Sequence, residues 1–201
     1  METLRDMFEE TLKDVYFAEN AILKALPKMV EQAQSDDLKE AFNGHLEETK
    51  EHVVRLDRIF ELLGKKAQGK ECPALKSLVQ ETEEMISETR NPNVLDAGLI
   101  GCAQAVEHYE IARYGTLKAW AERLGLEDAA ELLEQTLEEE KETDEALTEL
   151  ALSSEVSRTH NHGFRSRAGL SRRHDIVCTG HLARLYVLEP PHDTHTRHSY
   201  P

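Results

Sequence analysis

Histidine and carboxylate side chains occupy helix positions where the surrounding pattern places apolar residues. In one amphipathic stretch the apolar positions recur every three or four residues, and His45, Glu48 and His52 fall on the same stripe. Spacings of three and four keep side chains on one face of a helix. A later stripe of leucines is interrupted in the same way by Glu140 and Asp144. Residues of these types, on faces that should be buried, indicate a site for divalent cations.

Two more apolar stripes are interrupted by carboxylates. Glu19 lies on the first stripe of the chain, and Glu107 and Glu110 lie on a later one. The chain also aligns with itself, since residues 16–52 match residues 104–144 in the positions of several acids along their helices. A bundle with this internal pseudo-twofold symmetry would bring four carboxylates toward one level of its core, namely Glu19, Glu48, Glu107 and Glu140.

Carboxylates that converge in a core need compensation, because a buried charge without a partner is costly. The inner stripes supply no Lys or Arg for this purpose. Protonation is one solution, and it would raise the pKa values of the carboxyl groups. A pair of divalent cations bridged by shared carboxylates is the other, and oxygen-rich ligands with one or two imidazoles suit Fe or Mn, two ions per chain. From the residues alone, Glu19, Glu48, Glu107 and Glu140 are favoured as ligands because they recur at matched positions in both halves, and Glu110 and Asp144 are favoured as well. His45, like His52, stays open between a ligand and a core histidine that is hydrogen-bonded to a carboxylate.

Other polar residues near these stripes receive different interpretations. His52 is either a ligand or a core histidine that is hydrogen-bonded to a carboxylate, and the sequence leaves both open. His108 adjoins Glu107 but points about 100° away along the helix, which indicates packing or an outer hydrogen bond. The neighbouring acids are predicted to lie on solvated faces: Glu47, Glu51, Glu138, Glu139 and Glu142.

Hydrophobic periodicity predicts four long helices and one short one, and no strand pattern competes with it. Ser35 offers an N-cap, and Gly64 and Gly125 each end a helix. Short turns join the first two long helices and the last two, and a long connection that contains the short helix joins the pairs. The expected fold is therefore an all-α four-helix bundle with one crossover. The predicted helices span residues 3–34, 35–63, 74–89, 94–124 and 128–151.

Charge and composition exclude several classes of function. The 201 residues include 24 Lys and Arg against 39 Asp and Glu, which gives a net charge of −15, and 39% of residues are apolar. This acidity argues against nucleic acid or an anionic membrane as a partner. No apolar stretch approaches the roughly 20 residues of a transmembrane helix. The three widely separated cysteines make a disulfide framework improbable, so the sequence favours a reducing cytoplasm.

The charge is divided unevenly along the chain. Residues 1–151 carry 17 basic and 35 acidic residues, a net −18, whereas residues 152–201 carry seven Arg, four acids and seven of the ten His, a net +3. This tail shows no sustained helical or strand period. A metal-binding His tract, a basic anchoring arm and a segment without an evolved role remain open for it. We expect the tail to be extraneous to the bundle or irregular.

Four stretches of the chain resemble the YciE/YciF-type ferritin-like proteins: AENAILKALPKM, FNGHLEETKEHVVRLDRIFELLG, AQAVEHYEIARYGTLKAWAERLG and LLEQTLEEEKETDEALTELA. The resemblance covers about residues 1–151. It implies a bundle that is dimeric or larger and has a di-metal carboxylate centre, in proteins of the bacterial stress response. The matching positions here are Glu19, His45, Glu48, Glu107, Glu110, Glu140 and Asp144. In such a centre Glu48 and Glu140 would bridge the two ions, Glu19 and Glu107 would be terminal ligands, and His45, Glu110 and Asp144 would adjust the shell. The Glu-x-x-His pairs of ferritin-like di-iron sites are absent, because Glu51 and Thr143 stand at those positions.

Two classes of function follow from these expectations. The first is a di-iron or di-manganese oxidoreductase that oxidises its metal with dioxygen or consumes peroxide, so that small oxidants are its partners. The second is a non-enzymatic stress-protection protein that forms acidic homo-oligomers and has a vestigial or empty metal site. Iron storage in a cage is a weaker third hypothesis, because the sequence shows no assembly pattern.

Overall fold

Five α-helices make up most of the chain that the structure describes, which is residues 1–153 of a computed structural model. They are α1 (Leu4–Gln32), α2 (Asp36–Leu62), α3 (Pro73–Glu88), α4 (Pro92–Arg123) and α5 (Glu127–Leu152). The all-α prediction is confirmed, and every predicted helix end lies within two residues of the observed one. None of these five helices is long and apolar enough to cross a membrane. The prediction for the tail, apart from Leu152 and Ser153, lies outside the described residues.

The four long helices form two antiparallel pairs that pack into a bundle. A turn of three residues joins α1 to α2, and another joins α4 to α5, so each pair folds back on itself. Across the bundle, α2 contacts α5 and α1 contacts α4. The short helix α3 lies in the crossover and packs mainly on α4, with a smaller contact to α1. This topology brings one face of each long helix to a common axis.

Polar groups at the helix ends fix the turns of the bundle. The buried Asp96 carboxylate on α4 accepts hydrogen bonds from the backbone N–H groups of Gln34 (2.8 Å) and Ser35 (2.9 Å). It therefore ties the α1–α2 turn to α4. Gly64 and Gly125 have φ angles of 68° and 69°, a left-handed conformation that glycine adopts without strain. The chain leaves α2 and α4 at these two predicted positions.

Two apolar clusters fill the interior of the bundle and leave a polar layer between them. One cluster includes Ile22, Leu38, Phe42, Leu99 and Leu147. The other includes Phe8, Leu12, Leu56, Leu117 and Leu133. Every long helix contributes to both clusters, and on each helix the interrupting ionisable residues fall between its two apolar segments. The polar side chains are therefore held in the dry middle of the bundle.

Candidate metal centre

Six ionisable side chains from the four long helices meet in this layer, and each is at most 5% exposed. They form two groups of potential ligands. The first group contains His45, Glu107, Glu110 and Glu140, and the second contains Glu19, His52 and Glu140. Five of the seven predicted ligands are thus brought together, and they are joined by His52, whose role the sequence left open.

The two groups have dimensions close to those of a coordination shell. Within each group the ligand atoms lie within 4.8 Å of one another. Oxygen ligands stand about 2.0–2.6 Å from hard divalent cations, so ligands on opposite sides of an ion are about 4–5 Å apart. Glu140 belongs to both groups. It is therefore the one carboxylate of the layer that could reach an ion in either group.

Buried polar atoms without hydrogen bonds are concentrated in this layer. Within residues 1–153, eight buried side-chain atoms lack a hydrogen-bond partner, and all belong to these six residues: Glu19 Oε2, His45 Nε2, His52 Nδ1, Glu107 Oε2, and both oxygens of Glu110 and Glu140. Such atoms are rare in folded proteins and cost about 1–3 kcal/mol each. Four carboxylates with neutral imidazoles carry four negative charges, which two divalent cations would balance. The residues present therefore fit a pair of divalent cations.

His52 has one ring nitrogen hydrogen-bonded to a carboxylate, and its other nitrogen, Nδ1, is available as a potential ligand atom. Its Nε2 lies 2.9 Å from a Glu139 oxygen, and the N–H donates to that carboxylate. Its Nδ1 lies 3.2 Å from Glu140 and 3.5 Å from Glu19, at ion-pair distances without an aligned hydrogen bond. A carboxylate on the far nitrogen is a common outer partner of a metal-binding histidine, because it fixes the tautomer and the ring orientation.

The prediction that Glu139 lies on a solvated face is wrong. Its side chain is 30% exposed and accepts hydrogen bonds from both terminal nitrogens of Arg55, one of them at 2.7 Å, as well as from His52. Arg55 also donates to the hydroxyl of Thr136 at 3.1 Å. The inner stripes contain no Lys or Arg, but the Arg55 guanidinium lies at the edge of the layer and is connected to His52 by the Glu139 carboxylate. Arg55 lies three residues after His52 on the same helix, a spacing that was available in the sequence.

Burial shifts the protonation equilibria of the ionisable groups in this layer. Burial raises the pKa of Glu107 and of Glu110 well above the ordinary value of 4.5, and the other carboxylates add to the effect. Burial also raises the pKa of Glu19, although His52 partly offsets it. Burial alone would lower the pKa of His52, but the carboxylates of Glu140 and Glu19 close to its Nδ1 raise it to about 10. These shifts favour protonated carboxyl groups at Glu19, Glu107 and Glu110, and a cation that bound in the layer would have to displace such protons.

Tyr114 adds one more hydrogen bond to the layer. It is 1% exposed, and its hydroxyl donates to Glu19 Oε1. Burial raises the pKa of this phenol further above its ordinary value, and Glu19 adds to the shift. Tyr114 thus holds one oxygen of Glu19 and leaves Oε2, the unpaired oxygen, for a ligand.

The structure does not bring Glu48 into either group. Its side chain is 47% exposed, and its Oε2 lies 3.6 Å from Nδ1 of His45. The neighbouring Thr49 is fully buried instead, and its hydroxyl donates to the backbone oxygen of His45 at 2.7 Å. The packing of α2 thus turns Thr49 inward and Glu48 outward. The internal repeat therefore brings together Glu19, Glu107 and Glu140, while Glu48 stands at the rim.

Asp144 also lies outside both groups. Its side chain is 22% exposed, accepts a hydrogen bond from Gln104 at 3.2 Å and lies 3.3 Å from Nε2 of His108. His108 is itself exposed and contacts Asp144 rather than a buried carboxylate. These three residues form a partly exposed polar contact between α4 and α5.

Comparisons with known proteins identify the family. The profile described as "Domain of unknown function (DUF892)" matches residues 3–160. Protein YciF of Escherichia coli (strain K12) is 43% identical over 162 residues, which are 80% of this chain and 98% of that protein. The crystal structure of the E. coli stress protein YciF is similar at a TM-score of 0.75 and 44% identity, over 79% of this chain and 99% of that one. YcfI from Rhodopseudomonas palustris is similar at a TM-score of 0.72 and 48% identity, over 73% of this chain and 94% of that one. The chain belongs to the DUF892 family and is a YciF-like protein with a ferritin-like fold.

Proposed function

We propose that this protein binds two Fe or Mn ions in its polar layer and acts in the bacterial stress response, by oxidising metal with dioxygen or by consuming peroxide. The observation that carries the metal proposal is the set of eight unpaired, buried ligand atoms in two groups that share Glu140. The stress context comes from the E. coli relative, which is called a stress protein. The oxidant chemistry comes from the donor set, because oxygen-rich sites with imidazoles suit Fe(II) and Mn(II).

Each of the two groups of potential ligands would hold one ion. His45, Glu107 and Glu110 would hold one ion, and Glu19 and His52 would hold the other. Glu140 would bridge them. When bound, such ions supply redox equivalents for small oxidants. The apolar clusters on either side limit the contact of the layer with bulk water, so fixed ligands would contribute most of the stabilisation of its charges.

An anaerobic titration of the full chain tests the metal proposal. After removal of metal with a chelator, the protein should bind two Fe(II) or two Mn(II) per chain. Glu140→Gln should lose both ions, because both groups share that residue. Glu138→Gln is the matched control, since Glu138 lies two residues away on α5, is exposed and is paired only with Lys141 among the described residues. Unchanged binding by Glu140→Gln would show that the centre is not here.

Addition of dioxygen or peroxide to the loaded protein tests the chemistry. Oxidant consumption that depends on the bound metal supports the oxidoreductase. Metal binding without oxidant consumption supports the non-enzymatic alternative, a stress-protection protein. A dimer or larger homo-oligomer is part of the same proposal and rests on the resemblance. Sedimentation velocity of the full chain should show a species of at least twice the mass of one chain, and a monomer at micromolar concentration would contradict it.

A further inference from the structure

Two openings reach the polar layer, and both end at His45 and Glu107. One lies among residues of α1, α3 and α4 and holds about 50 Å³, and the other opens between α2 and α5 and holds about 300 Å³. We propose that the α2–α5 opening is the path by which divalent cations enter the layer, and that Glu48 and Glu142 attract them at its mouth. This inference rests on the proposed metal centre.

The mouth of the α2–α5 opening is acidic, as a path for cations requires, whereas the charges at the other mouth cancel. Glu48 and Glu142 line the α2–α5 opening, both are exposed, and no Lys or Arg within residues 1–153 lines it. The other opening has an apolar wall, and its mouth carries Lys28 and Glu83, whose side chains pair at 3.0 Å and cancel each other. Acidic clefts raise the local concentration and the association rate of cations. The α2–α5 opening therefore attracts cations and the other one does not.

Potential ligand atoms lead from the mouth of this opening to the layer. Glu48 Oε2 accepts a hydrogen bond from Thr143 at 3.4 Å and lies 3.6 Å from Nδ1 of His45. On its other side, His45 Nε2 lies 3.3 Å from Glu107. His45 is 5% exposed and Glu107 is 2% exposed, and each lines the opening and has an atom without a hydrogen-bond partner within residues 1–153. A cation can therefore exchange water for protein ligands in small steps.

Small residues keep the opening wide. Ala41, Gly44 and Ala146 line it. A Cβ atom built on Gly44 meets no atom within 4 Å, so a larger side chain there would enter the opening without a clash at its first atom. Glycine in the middle of α2 costs roughly 0.5–1 kcal/mol relative to alanine. Gly44 therefore offers a substitution that obstructs the path and retains the helix.

This path gives Glu48 a role other than that of a bridging ligand, and the two roles predict different measurements. The test is the rate of Mn(II) uptake by the metal-stripped full chain, followed by the loss of the free-ion paramagnetic resonance signal after rapid mixing. In Glu48→Gln/Glu142→Gln we expect about a tenfold slower association that depends less on salt, at an unchanged two ions per chain. A bridging Glu48 would instead cause loss of bound ions at an unchanged association rate, which would overturn the inference.

Two matched controls accompany the charge variant. Glu83→Gln removes one carboxylate from the mouth of the other opening and should leave the association rate unchanged. Gly44→Leu should slow uptake and release together, whereas Gly101→Leu, at an exposed glycine of α4 with equally free space, should change neither. Circular dichroism of each variant checks that the helices are retained.

The inference is overturned if the charge variant and Gly44→Leu both take up Mn(II) at the rate of the parent protein. Failure of the parent protein itself to bind Mn(II) or Fe(II) would overturn the proposed metal centre instead. The two failures are therefore distinguishable in one set of measurements.

Discussion

Replacement of Glu110 by leucine should stabilise the metal-stripped protein and reduce the stabilisation that metal provides. Glu110 is fully buried on α4, and neither of its carboxylate oxygens has a hydrogen-bond partner within the described residues. Leucine has a similar volume and no polar atom. The substitution therefore removes a polar group that has no partner and puts apolar atoms in its place.

The size of the effect follows from these contacts. Apolar residues that replace buried ionic groups of similar volume are often neutral or stabilising by about 1–4 kcal/mol. We expect Glu110→Leu to raise the free energy of unfolding of the metal-stripped protein by about 1–3 kcal/mol, which corresponds to about 2–4 °C in Tm per kcal/mol for a protein of this size. Metal at a hundredfold excess over Kd stabilises the parent by about 2.7 kcal/mol per site. The variant should lose much of this gain, because the group around His45 has lost a ligand.

The pH dependence of the free energy of unfolding provides a second, independent test of the prediction for Glu110. Burial raises the pKa of Glu110 in the folded state above the ordinary value of 4.5, so above that pH the folded protein binds more protons than the unfolded chain. The contribution of Glu110 to stability is complete below pH 4.5 and is lost as the pH rises toward the raised pKa. In the metal-stripped protein the parent should therefore lose more stability than the leucine variant as the pH rises from about 5 to 8.

The assay is urea unfolding with and without Mn(II), followed by circular dichroism. Glu110→Gln is the control, because an amide removes the charge but leaves polar atoms without partners. Its metal-stripped form should gain less stability than the leucine variant. The reasoning is refuted if Glu110→Leu destabilises the metal-stripped protein by more than about 1 kcal/mol, or if Mn(II) stabilises the variant as much as the parent.

Three further substitutions test other contacts of the layer and the fold. Glu139→Gln should weaken Mn(II) binding about 10- to 100-fold in a chelator competition, because His52 loses the carboxylate that fixes its tautomer; unchanged affinity would contradict this. Tyr114→Phe should lower the free energy of unfolding of the metal-stripped protein by about 1–3 kcal/mol in urea, because Glu19 loses a buried donor. Asp96→Ala should cost about 1–3 kcal/mol in the same assay, because the N–H groups of Gln34 and Ser35 in the α1–α2 turn lose their buried acceptor. The Asp96→Ala variant should still bind two Mn(II) per chain, and a loss of bound metal would show that the α1–α2 turn and the metal centre are coupled.

The helices and most of the ionisable residues on their buried faces could be predicted from the sequence. Helix formation depends on local periodicity and on capping residues. Ser35 precedes α2 directly and Gly64 follows its last turn, so both are next in the chain to the helix ends that they fix. The interruption of apolar stripes by Glu19 and Glu140 is also local, because an otherwise apolar face fixes which side of a helix is buried. These features identified five of the six residues in the layer.

Positions at the edge of a stripe were decided only by the tertiary structure. Glu48 and Thr49 flank the line from His45 to His52 at similar angles, and a small rotation of α2 exchanges which of them is buried. That rotation is set by the packing of α2 against α1 and α5, which the sequence of α2 does not contain.

The role of His52 likewise required the partner helix. Its far nitrogen meets Glu139, and Glu139 is held by Arg55, so the arrangement joins residues that are more than 80 positions apart in the chain. The sequence by itself determined a helical bundle with ionisable groups on its inner faces. The tertiary structure decided which of them share one cation-sized space, because that depends on the rotation and register of four helices packed together.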